Sequence, residues 1–427
     1  MKATIYTLGC KVNQYESEYM AELLKKAGFD VVSANEEADY YIINSCTVTA
    51  TADQKTRQHV RQFKRKHPNS CVILTGCMPQ AFPEEAKALN EADIVISNKS
   101  DGDIVSAIKK HQEEKARIIE IDKHCTGDPF APCSINGFGG RIRAFVKIED
   151  GCDRFCSYCI IPTSRGRVRS KDPEDLKNEV KTLAENGIKE IVLVGINLSA
   201  YGKNEDYDIA DAVKICNDTE GVLRVRLGSL EPDHITDRII EKLAECEKFC
   251  PQFHISLQSG CTKTLKNMNR HYSADEYKEL CDKLRKTFPE ASITTDVMVG
   301  FHEESEEDFE ESLRFVKEIG FEKVHVFPYS ERKGTLASRK GDSVPKSVKE
   351  ERAAEMISLA EDLRKDFFKR YLNKAVRVLV ENKIGDSLYS GYTENYLPVH
   401  IKSENCKVGQ IVSATVKEIQ DDFCIAE

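Results

Sequence analysis

The sequence predicts an α/β protein in three parts: an N-terminal doubly wound parallel sheet, a central partial (β/α)6 barrel and a small C-terminal all-β barrel. Three observations lead to this prediction. Short apolar runs alternate with amphipathic helical stretches twice along the chain. A stretch rich in glycine and proline separates the two series, and the residues after 370 alternate in strand fashion. The chain of 427 residues is also too long for one hydrophobic core, because single cores rarely grow beyond about 250–300 residues.

The first series occupies residues 1–122 and reads as βαβ alternation. Its strands are expected at 4–8, 40–44, 72–75, 94–97 and 118–121. Such alternation predicts a parallel sheet in which functional groups collect at the carboxyl ends of the strands. Cys10, Cys46 and Cys77 each follow the end of one of the first three strands, so we expect their thiols at one edge. Cys71 begins its strand and is expected at the opposite edge, as a structural thiol.

The remaining chain predicts a linker and two further parts. Residues 123–140 have no periodicity and form the linker, and the second α/β series fills residues 141–370. Its strands are expected at 144–148, 190–194, 223–227, 253–257, 293–299 and 323–327. Six units are fewer than the eight of a closed barrel, so a partial barrel is predicted. After a charged helix at 344–370, residues 371–427 predict a small all-β barrel that either binds RNA or serves only for docking.

Composition argues for a cytoplasmic protein that does not cross a membrane. Hydrophobic residues make up 40% and charged residues 31% of the chain. No run approaches the roughly 18–20 apolar residues of a membrane span, and the first residues lack the regions of a signal peptide. Because the cytoplasm keeps thiols reduced, the sixteen cysteines indicate metal binding or catalysis rather than disulfides.

The distribution of charge leaves an RNA partner open. A net charge of −9 argues weakly against nucleic acid, but an overall balance can hide local patches. Two basic patches stand out in the sequence: Lys55, Arg57, Arg61, Lys64, Arg65 and Lys66, and then Arg165, Arg167, Arg169 and Lys171. Such patches either contact phosphates or form a solvated surface, and the pattern alone does not separate the two.

The most specific motif is C-x₃-C-x₂-C, directly after the first predicted barrel strand. It places Cys152, Cys156 and Cys159 within one short segment. Three thiolates can hold a cubane 4Fe-4S cluster and leave its fourth iron without a protein ligand, so that this iron is open to substrate. Structural zinc is the main alternative, but it is typically four-coordinate and no fourth Cys or His stands nearby.

This motif resembles the signature of the radical S-adenosylmethionine (SAM) superfamily, which carries an aromatic residue before the last cysteine. Tyr158 occupies that aromatic position, which in the superfamily lies near the SAM adenine. The resemblance implies that Cys152, Cys156 and Cys159 are catalytic: they hold a cluster whose open iron binds the amino and carboxylate groups of SAM. Reductive cleavage of SAM then gives a 5′-deoxyadenosyl radical.

Three further motifs resemble the N-terminal domain of the methylthiotransferases within that superfamily. They are Thr-Leu-Gly-Cys-Lys-Val-Asn-Gln-Tyr-Glu at 7–16, Asn-Ser-Cys-Thr-Val-Thr at 44–49 and Thr-Gly-Cys-Met-Pro-Gln at 75–80. The resemblance implies that Cys10, Cys46 and Cys77 hold an auxiliary 4Fe-4S cluster with one iron free to carry sulfur. It also implies a radical SAM barrel in the centre and, through residues 391–396, a TRAM-like RNA-binding barrel at the end.

Polar residues at predicted strand ends of the barrel are candidates for SAM binding. We expect contacts from Asn197, Glu231, Gln258 and Arg270, with structural hydrogen bonding as the alternative role. The chain departs from the family at 300–304, where Gly-Phe-His-Glu-Glu stands in place of the usual Gly-Phe-Pro-Gly-Glu. This departure is expected to alter a turn at the rim of the barrel.

The family divides among three substrates: isopentenyladenosine in tRNA, threonylcarbamoyladenosine in tRNA and an aspartate of a ribosomal protein. Lys-Val after the first cysteine and Ser-Leu-Glu-Pro at 229–232 most resemble the threonylcarbamoyladenosine group. The expected product is the 2-methylthio derivative of that nucleoside, on the 3′ side of the anticodon.

The resemblance also implies cofactors and partners for this sulfur-group transferase. The cofactors are two 4Fe-4S clusters and SAM, which is both methyl donor and radical source. The partners are tRNA, a low-potential electron donor and a sulfide or persulfide source. A radical cofactor is needed because the C–H bond at carbon 2 of adenine is too unreactive for acid–base catalysis. A plain iron–sulfur electron carrier is the remote alternative.

Overall fold

The N-terminal part is a six-stranded sheet with helices on both faces. The computed structural model describes residues 1–427. The strands are β1 (Lys2–Thr7), β2 (Asp30–Val31), β3 (Tyr40–Ser45), β4 (Cys71–Gly76), β5 (Ile94–Ile96) and β6 (Ile118–Glu120). The helices are α1 (Lys11–Lys26), α2 (Ala50–Lys66), α3 (Cys77–Ala81), α4 (Pro83–Lys87) and α5 (Ile104–Glu114). All strands pair in parallel in the order β2-β1-β3-β4-β5-β6, and one apolar core lies on each face. The predicted doubly wound sheet is confirmed.

The central part is an open barrel of six parallel strand positions. Its strands are β7 (Arg143–Lys147), β8 (Glu149–Asp150), β9 (Arg169–Ser170), β10 (Glu190–Val194), β11 (Arg224–Leu227), β12 (Ser229–Leu230), β13 (Gln252–Ile255), β14 (Ser292–Val299) and β15 (Lys323–Pro328). One run pairs β11-β10-β7 and the other β12-β13-β14-β15; Gly228 alone separates β11 from β12, while β8 and β9 form a small antiparallel pair. The predicted partial (β/α)6 barrel is confirmed.

The barrel helices surround one core of 52 buried residues. They are α6 (Ile161–Arg165), α7 (Pro173–Glu185), α8 (Ile209–Asp218), α9 (Asp237–Ala244), α10 (Thr262–Asn267), α11 (Ala274–Thr287), α12 (Glu306–Ile319), α13 (Leu336–Lys340) and α14 (Lys346–Lys369). Side chains of Asp172, Asp208, Ser273 and Ser305 accept hydrogen bonds from the first turns of α7, α8, α11 and α12. These caps satisfy backbone N–H groups that a helix start leaves unpaired, and so fix where four of the helices begin.

The C-terminal part is a closed five-stranded barrel with its own core. Its strands are β16 (Ala375–Gly385), β17 (Leu388–Tyr392), β18 (Pro398–Lys402), β19 (Ile411–Ile419) and β20 (Cys424–Ala426), in the order β16-β17-β18-β20-β19. The predicted small all-β barrel is therefore confirmed. No helix in the chain combines the length and apolar composition of a bilayer span.

Buried arginines join the C-terminal barrel to the amino ends of the central strands. Arg226 donates to the carbonyl oxygens of Thr393 and Glu394, each at 2.6 Å. Arg224 donates to the carbonyl oxygen of Tyr392 at 2.5 Å, and both arginines are 1% exposed. The segment that resembles an RNA-binding motif at 391–396 is thus used for docking against the central barrel.

Candidate active site with two groups of three cysteines

Three thiols meet at the carboxyl edge of the N-terminal sheet. Cys10 precedes α1, Cys46 follows β3 directly and Cys77 begins α3 directly after β4. Because β1, β3 and β4 are parallel neighbours, these positions share one edge. A Cβ built on Gly9 would lie 3.0 Å from the Cβ of Cys46, so the first two loops touch. Cys71 lies at the opposite edge and is buried in the sheet core.

Side-chain amides and one glycine fix the loops that carry these thiols. Asn13 accepts hydrogen bonds from the amide nitrogen of Cys10 at 3.3 Å and from its thiol at 3.2 Å. Asn13 also donates to the side chain of Asn44 at 3.1 Å. Gly76 has a φ of 92°, and a Cβ there would lie 2.4 Å from the carbonyl oxygen of Ser45. Only glycine fits this turn into α3.

The second group lies in the loop that follows β8, at the carboxyl end of the first barrel strand. Cys152, Cys156 and Cys159 are each partly exposed. Gly151 opens this loop with a φ of 90°, and a Cβ there would lie 2.0 Å from the carbonyl oxygen of Arg167. The loop can therefore leave the strand only through glycine. All three thiols come from one short segment, as the spacing predicts.

Each group of cysteines has one arginine within hydrogen-bond distance of a sulfur. Nε of Arg165 donates to Sγ of Cys77 at 3.2 Å, and Nη1 of Arg270 donates to Sγ of Cys156 at 3.2 Å. Burial raises the pKa of the Cys77 and Cys159 thiols to about 12. A metal must therefore displace protons to bind, and the guanidinium groups favour the resulting thiolates.

The donor sets fit iron–sulfur clusters better than a single zinc ion. Each group offers three cysteine thiols, one ligand fewer than the four of a structural zinc site. Three thiols per group, each group with a guanidinium beside one sulfur, suit a cluster that keeps one iron free of protein ligands.

Arg270 follows α10 rather than a strand, so the expectation of a strand-end position is wrong for this residue, although its side chain reaches the carbonyl oxygen of Ser256 at the end of β13. Arg270 pairs with Glu231 at 2.5 Å and donates to the hydroxyl of Tyr272 at 2.9 Å. Tyr158 packs edge-on against Phe301, with ring centroids 6.2 Å apart. The structure therefore brings Arg270, Glu231 and Tyr158 to the loop of Cys156.

The other two predicted SAM residues follow β10 and β13, which β11 and β12 separate in the barrel. Gln258 has a left-handed φ of 69°, and its backbone pairs with β14 through Asp296 and Met298. Asn197 donates its backbone N–H to Glu149 at 2.7 Å. The side-chain oxygen Oδ1 of Asn197 is buried without a hydrogen-bond partner.

Glu149 is a site residue that sequence reasoning missed. It is fully buried beside the loop of Cys152, and its Oε1 has no hydrogen-bond partner. Burial, and then the charge of Asp150, raise the pKa of Glu149 well above its usual range. Oε1 of Glu149 and Oδ1 of Asn197 are unpaired acceptors that the hydroxyl or ammonium groups of SAM would satisfy. The available signal was an acidic residue between an apolar strand and Gly151.

Arg165 connects the two groups of cysteines. It ends α6, shortly after Cys159, and is 0% exposed. Besides Cys77 it binds both carboxylate oxygens of Glu16, and Lys147 contacts the same carboxylate at 3.0 Å. Although burial raises it, these two cations hold the pKa of Glu16 below its usual value. One residue of the barrel thus holds a helix and a thiol of the N-terminal part.

Replacing Arg165 with methionine is expected to lower the free energy of unfolding by about 3 kcal/mol. The substitution leaves the carboxylate of Glu16 buried with Lys147 as its remaining partner, and breaking a buried pair typically costs about 3–5 kcal/mol. Urea unfolding of the metal-free protein, followed by circular dichroism, measures the change. Arg167→Met is the matched control, since Arg167 is a half-exposed neighbour and should cost less than about 1 kcal/mol. Equal losses in the two variants would contradict the assignment.

A second link joins the last barrel strand to the Cys46 loop. Arg332 donates to the carbonyl oxygen of Thr47 at 2.9 Å and pairs with Asp53 at 2.5 Å. Arg332 is only 5% exposed. The two cysteine-bearing edges are therefore held facing each other across the carboxyl end of the barrel.

Lys11 extends into the space inside the barrel. Its side chain is open to solvent, but protein surrounds it on most sides, and its Nζ lies 5.8 Å from the ring centroid of Phe145. Burial, and then the guanidinium groups of Arg143 and Arg226, lower the pKa of Lys11. No carboxylate forms an ion pair with this lysine, which directly follows Cys10.

The rim segment that departs from the family is a strained turn. Glu303 has a left-handed φ of 59° at the position where relatives usually have glycine. Gly300 keeps a φ of 70°, and its N–H donates to the side chain of Glu304 at 2.7 Å. Arg352 pairs with the same carboxylate at 2.8 Å. Contacts of the flanking residues Gly300 and Glu304 thus hold the turn at Glu303.

The structure corrects one of the two predicted basic surfaces. Arg165 and Lys171 are buried at 0% and 2% exposure, and Arg169 pairs with Asp150 at 3.2 Å. Arg167 is the exposed member, so the expectation of a surface patch at 165–171 is wrong. The first patch does lie on α2 at the surface. Three of its side chains there pair with acidic neighbours: Arg57 with Glu85, Arg61 with Glu91 and Lys64 with Asp93.

Comparison with known proteins agrees with this architecture. Residues 2–97 match the family model described as "Uncharacterized protein family UPF0004", and residues 146–316 match that of the "Radical SAM superfamily". The threonylcarbamoyladenosine tRNA methylthiotransferase MtaB of Bacillus subtilis (strain 168) is 38% identical over 96% of this chain and 92% of its own length. The chain belongs to the radical SAM methylthiotransferase family.

Other members of this family are similar over comparable lengths. MtaB of Thermotoga maritima is 38% identical over 99% of this chain and 96% of its own length. The tRNA-2-methylthio-N(6)-dimethylallyladenosine synthase of Clostridium novyi (strain NT) is 37% identical over 96% and 93%. Membership makes the chain a radical SAM methylthiotransferase and implies SAM and a 4Fe-4S cluster as cofactors.

Solved structures share the fold at low sequence identity. The radical SAM methyltransferase TsrM from Kitasatospora setae, with tryptophan and a SAM analogue, superposes with a TM-score of 0.55 at 12% identity. That similarity covers 76% of this chain and 72% of TsrM. The cobalamin-dependent SAM radical enzyme OxsB superposes with a TM-score of 0.52 at 10% identity, covering 86% of this chain and 56% of OxsB. These similarities concern the fold alone.

Proposed function

We propose that this methylthiotransferase acts on threonylcarbamoyladenosine at the 3′ side of the anticodon in tRNA and forms its 2-methylthio derivative. The observation that carries the proposal is the pair of cysteine groups facing each other at the carboxyl end of the barrel, linked by Arg165. One group would serve SAM cleavage and the other sulfur delivery. The identity of the nucleoside is supported by relatives whose names specify it.

In this proposal Cys152, Cys156 and Cys159 hold the SAM-binding cluster. Cys10, Cys46 and Cys77 hold a second, auxiliary 4Fe-4S cluster. When bound, the two clusters and SAM supply the reducing electron, the hydrogen-abstracting group, the methyl group and the sulfur. A low-potential electron donor and a sulfide or persulfide source would complete the reaction.

The chain's own residues bind and orient these groups. Glu149 and Asn197 would accept hydrogen bonds from SAM through their unpaired oxygens, and Gln258 lies after the carboxyl end of β13. Arg270 positions Glu231 beside the loop of Cys156. Their proximity to that loop supports these roles.

We also propose the following domain boundaries. Residues 1–122 carry the auxiliary site, 123–140 are a linker, 141–370 carry the radical SAM site and 371–427 form the TRAM-like barrel. The sheet, the central barrel and the C-terminal barrel have separate apolar cores, although Cys133, Ile135 and Phe138 of the linker pack in the central core, and Phe367 and Phe368 pack in the C-terminal one.

The test is the reaction itself. Reconstituted enzyme, SAM, reductant and sulfide are incubated with tRNA bearing threonylcarbamoyladenosine and, separately, with tRNA bearing dimethylallyladenosine. Mass spectrometry of the nucleosides is expected to show methylthiolation of the first substrate. Reaction with the second alone would overturn the choice of nucleoside, because relatives of that specificity are also similar. Cleavage of SAM without any methylthiolated nucleoside would overturn the tRNA proposal.

A further inference from the structure

Lys11 is the basic side chain inside the barrel that lacks a partner. Arg143 pairs with Glu190 at 2.5 Å, and Arg226 pairs with the same carboxylate at 2.9 Å. Arg226 is also held by carbonyl oxygens of the C-terminal barrel. Lys11 has no such acceptor; its ammonium lies beside the ring of Phe145, at 5.8 Å from the centroid.

The position of Lys11 is electrostatically unfavourable in the free protein. It is the first residue of α1, where the positive end of the helix dipole disfavours a cation, and the first turn has no acidic residue. The guanidinium groups of Arg143 and Arg226 add repulsion, which Glu190, the carboxylate that pairs with both, reduces. An ammonium in this setting, without an ion-pair partner, gains a charge-assisted hydrogen bond when an anion joins it.

We infer that Lys11 binds the carboxylate of the threonylcarbamoyl group and thereby selects this substrate over the uncharged dimethylallyl nucleoside. The inference rests on the proposed function and identifies the residue that recognises the N6 substituent. In adenine, ring nitrogen N1 lies between C2, which receives the sulfur, and C6, which bears the substituent. A base that presents C2 to the auxiliary site therefore directs its N6 substituent to the same neighbourhood.

The position of Lys11 in the sequence fits this role. It directly follows Cys10, the first of the proposed auxiliary ligands, so its ammonium is within one side-chain length of that site. A threonyl group ends in a carboxylate, whereas a dimethylallyl group is a hydrocarbon with nothing to pair with an ammonium. The same lysine that pairs with the first group would find no acceptor in the second.

The test compares binding of two synthetic anticodon stem-loop RNAs to the full-length reconstituted enzyme. One RNA carries threonylcarbamoyladenosine and the other carries its carboxyl methyl ester, which keeps the shape and removes the charge. The wild-type enzyme is expected to bind the acid about 10- to 100-fold more tightly, as for a charge-assisted hydrogen bond. Equal affinity of the wild type for acid and ester would overturn the inference, whether or not any variant folds.

Variants assign this preference to the residue. Lys11→Gln is expected to bind the acid and the ester equally, while Lys11→Arg keeps part of the preference. Lys26→Gln is the matched control, because Lys26 is an exposed lysine at the other end of the same helix. It should behave as the wild type. Lys11→Gln that keeps the full preference for the acid, with unchanged iron content and circular dichroism, would overturn the inference.

The outcomes separate this inference from the proposed function. Wild-type enzyme that methylthiolates the acid RNA while Lys11→Gln retains the full preference refutes the role of Lys11 and leaves the function standing. Wild-type enzyme that methylthiolates only RNA bearing dimethylallyladenosine refutes the proposed nucleoside and the role of Lys11 with it.

Discussion

Replacing Cys152, Cys156 and Cys159 with alanine is expected to halve the iron content and abolish cleavage of SAM. Two sites with three thiolates each would hold about eight irons per chain when anaerobically reconstituted, and the variant about four. SAM cleavage is expected to be lost because the removed cluster is the one that we propose binds SAM. Iron analysis and liquid chromatography of 5′-deoxyadenosine after reduction measure the two effects.

The complementary variant separates the roles of the two sites. Replacing Cys10, Cys46 and Cys77 with alanine should also halve the iron, yet leave 5′-deoxyadenosine measurable and methylthiolation absent. Cys71→Ala is the control, because this thiol lies at the opposite edge of the same sheet and should leave the iron content unchanged. Full iron content in the Cys10, Cys46 and Cys77 variant would refute the auxiliary site.

Truncation after Arg370 is expected to destabilise the central barrel by several kcal/mol. It removes the carbonyl oxygens that Arg224 and Arg226 bind, together with the aromatic ring of Tyr396, which lies 4.7 Å from the guanidinium carbon of Arg226. The truncation also exposes Phe367 and Phe368, which pack in the core of the C-terminal barrel, and burial of one such side chain typically contributes about 1.5–3 kcal/mol. Thermal unfolding followed by circular dichroism should show a lower midpoint. An unchanged midpoint would contradict a structural role for the docked segment.

A truncated chain therefore cannot report on RNA binding by the C-terminal barrel. Substitutions on its exposed surface are the suitable probe: Lys407→Glu and Lys417→Glu change charge without touching the docked segment. Weaker tRNA binding with an unchanged unfolding midpoint would assign RNA contact to this barrel. Unchanged affinity would leave docking as its role.

Most of the fold was predictable because most of its strands are continuous apolar runs. The predicted strands of the sheet and of the central barrel each lie within two residues of the observed bounds. The pairs Asp30–Val31, Glu149–Asp150 and Arg169–Ser170 were not predicted, since two residues show no periodicity. They depend on neighbouring strands that the sequence does not reveal.

The positions of site residues were predictable where the sheet topology alone determines them. Cys10, Cys46 and Cys77 meet because strand ends of a parallel sheet share an edge. The burial of charged residues was not predictable. Arg165 and Lys171 are of residue types that usually lie at the surface, but in the structure they are buried and pair with Glu16 and Glu179. These carboxylates are far away in sequence or on another element, so local composition gives the wrong expectation.

Arg165 and Arg332 also limit how the two parts of such a chain can be exchanged during evolution. Both guanidinium groups belong to the central barrel, yet their partners Glu16, Cys77 and Asp53 belong to the first 122 residues. The N-terminal sheet is therefore not an interchangeable module. A chimera that joined it to a barrel without arginines at these two positions would leave buried carboxylates unmatched beside the thiols. Recombination between relatives must keep both halves of these pairs together, so the two halves are expected to be inherited as one unit.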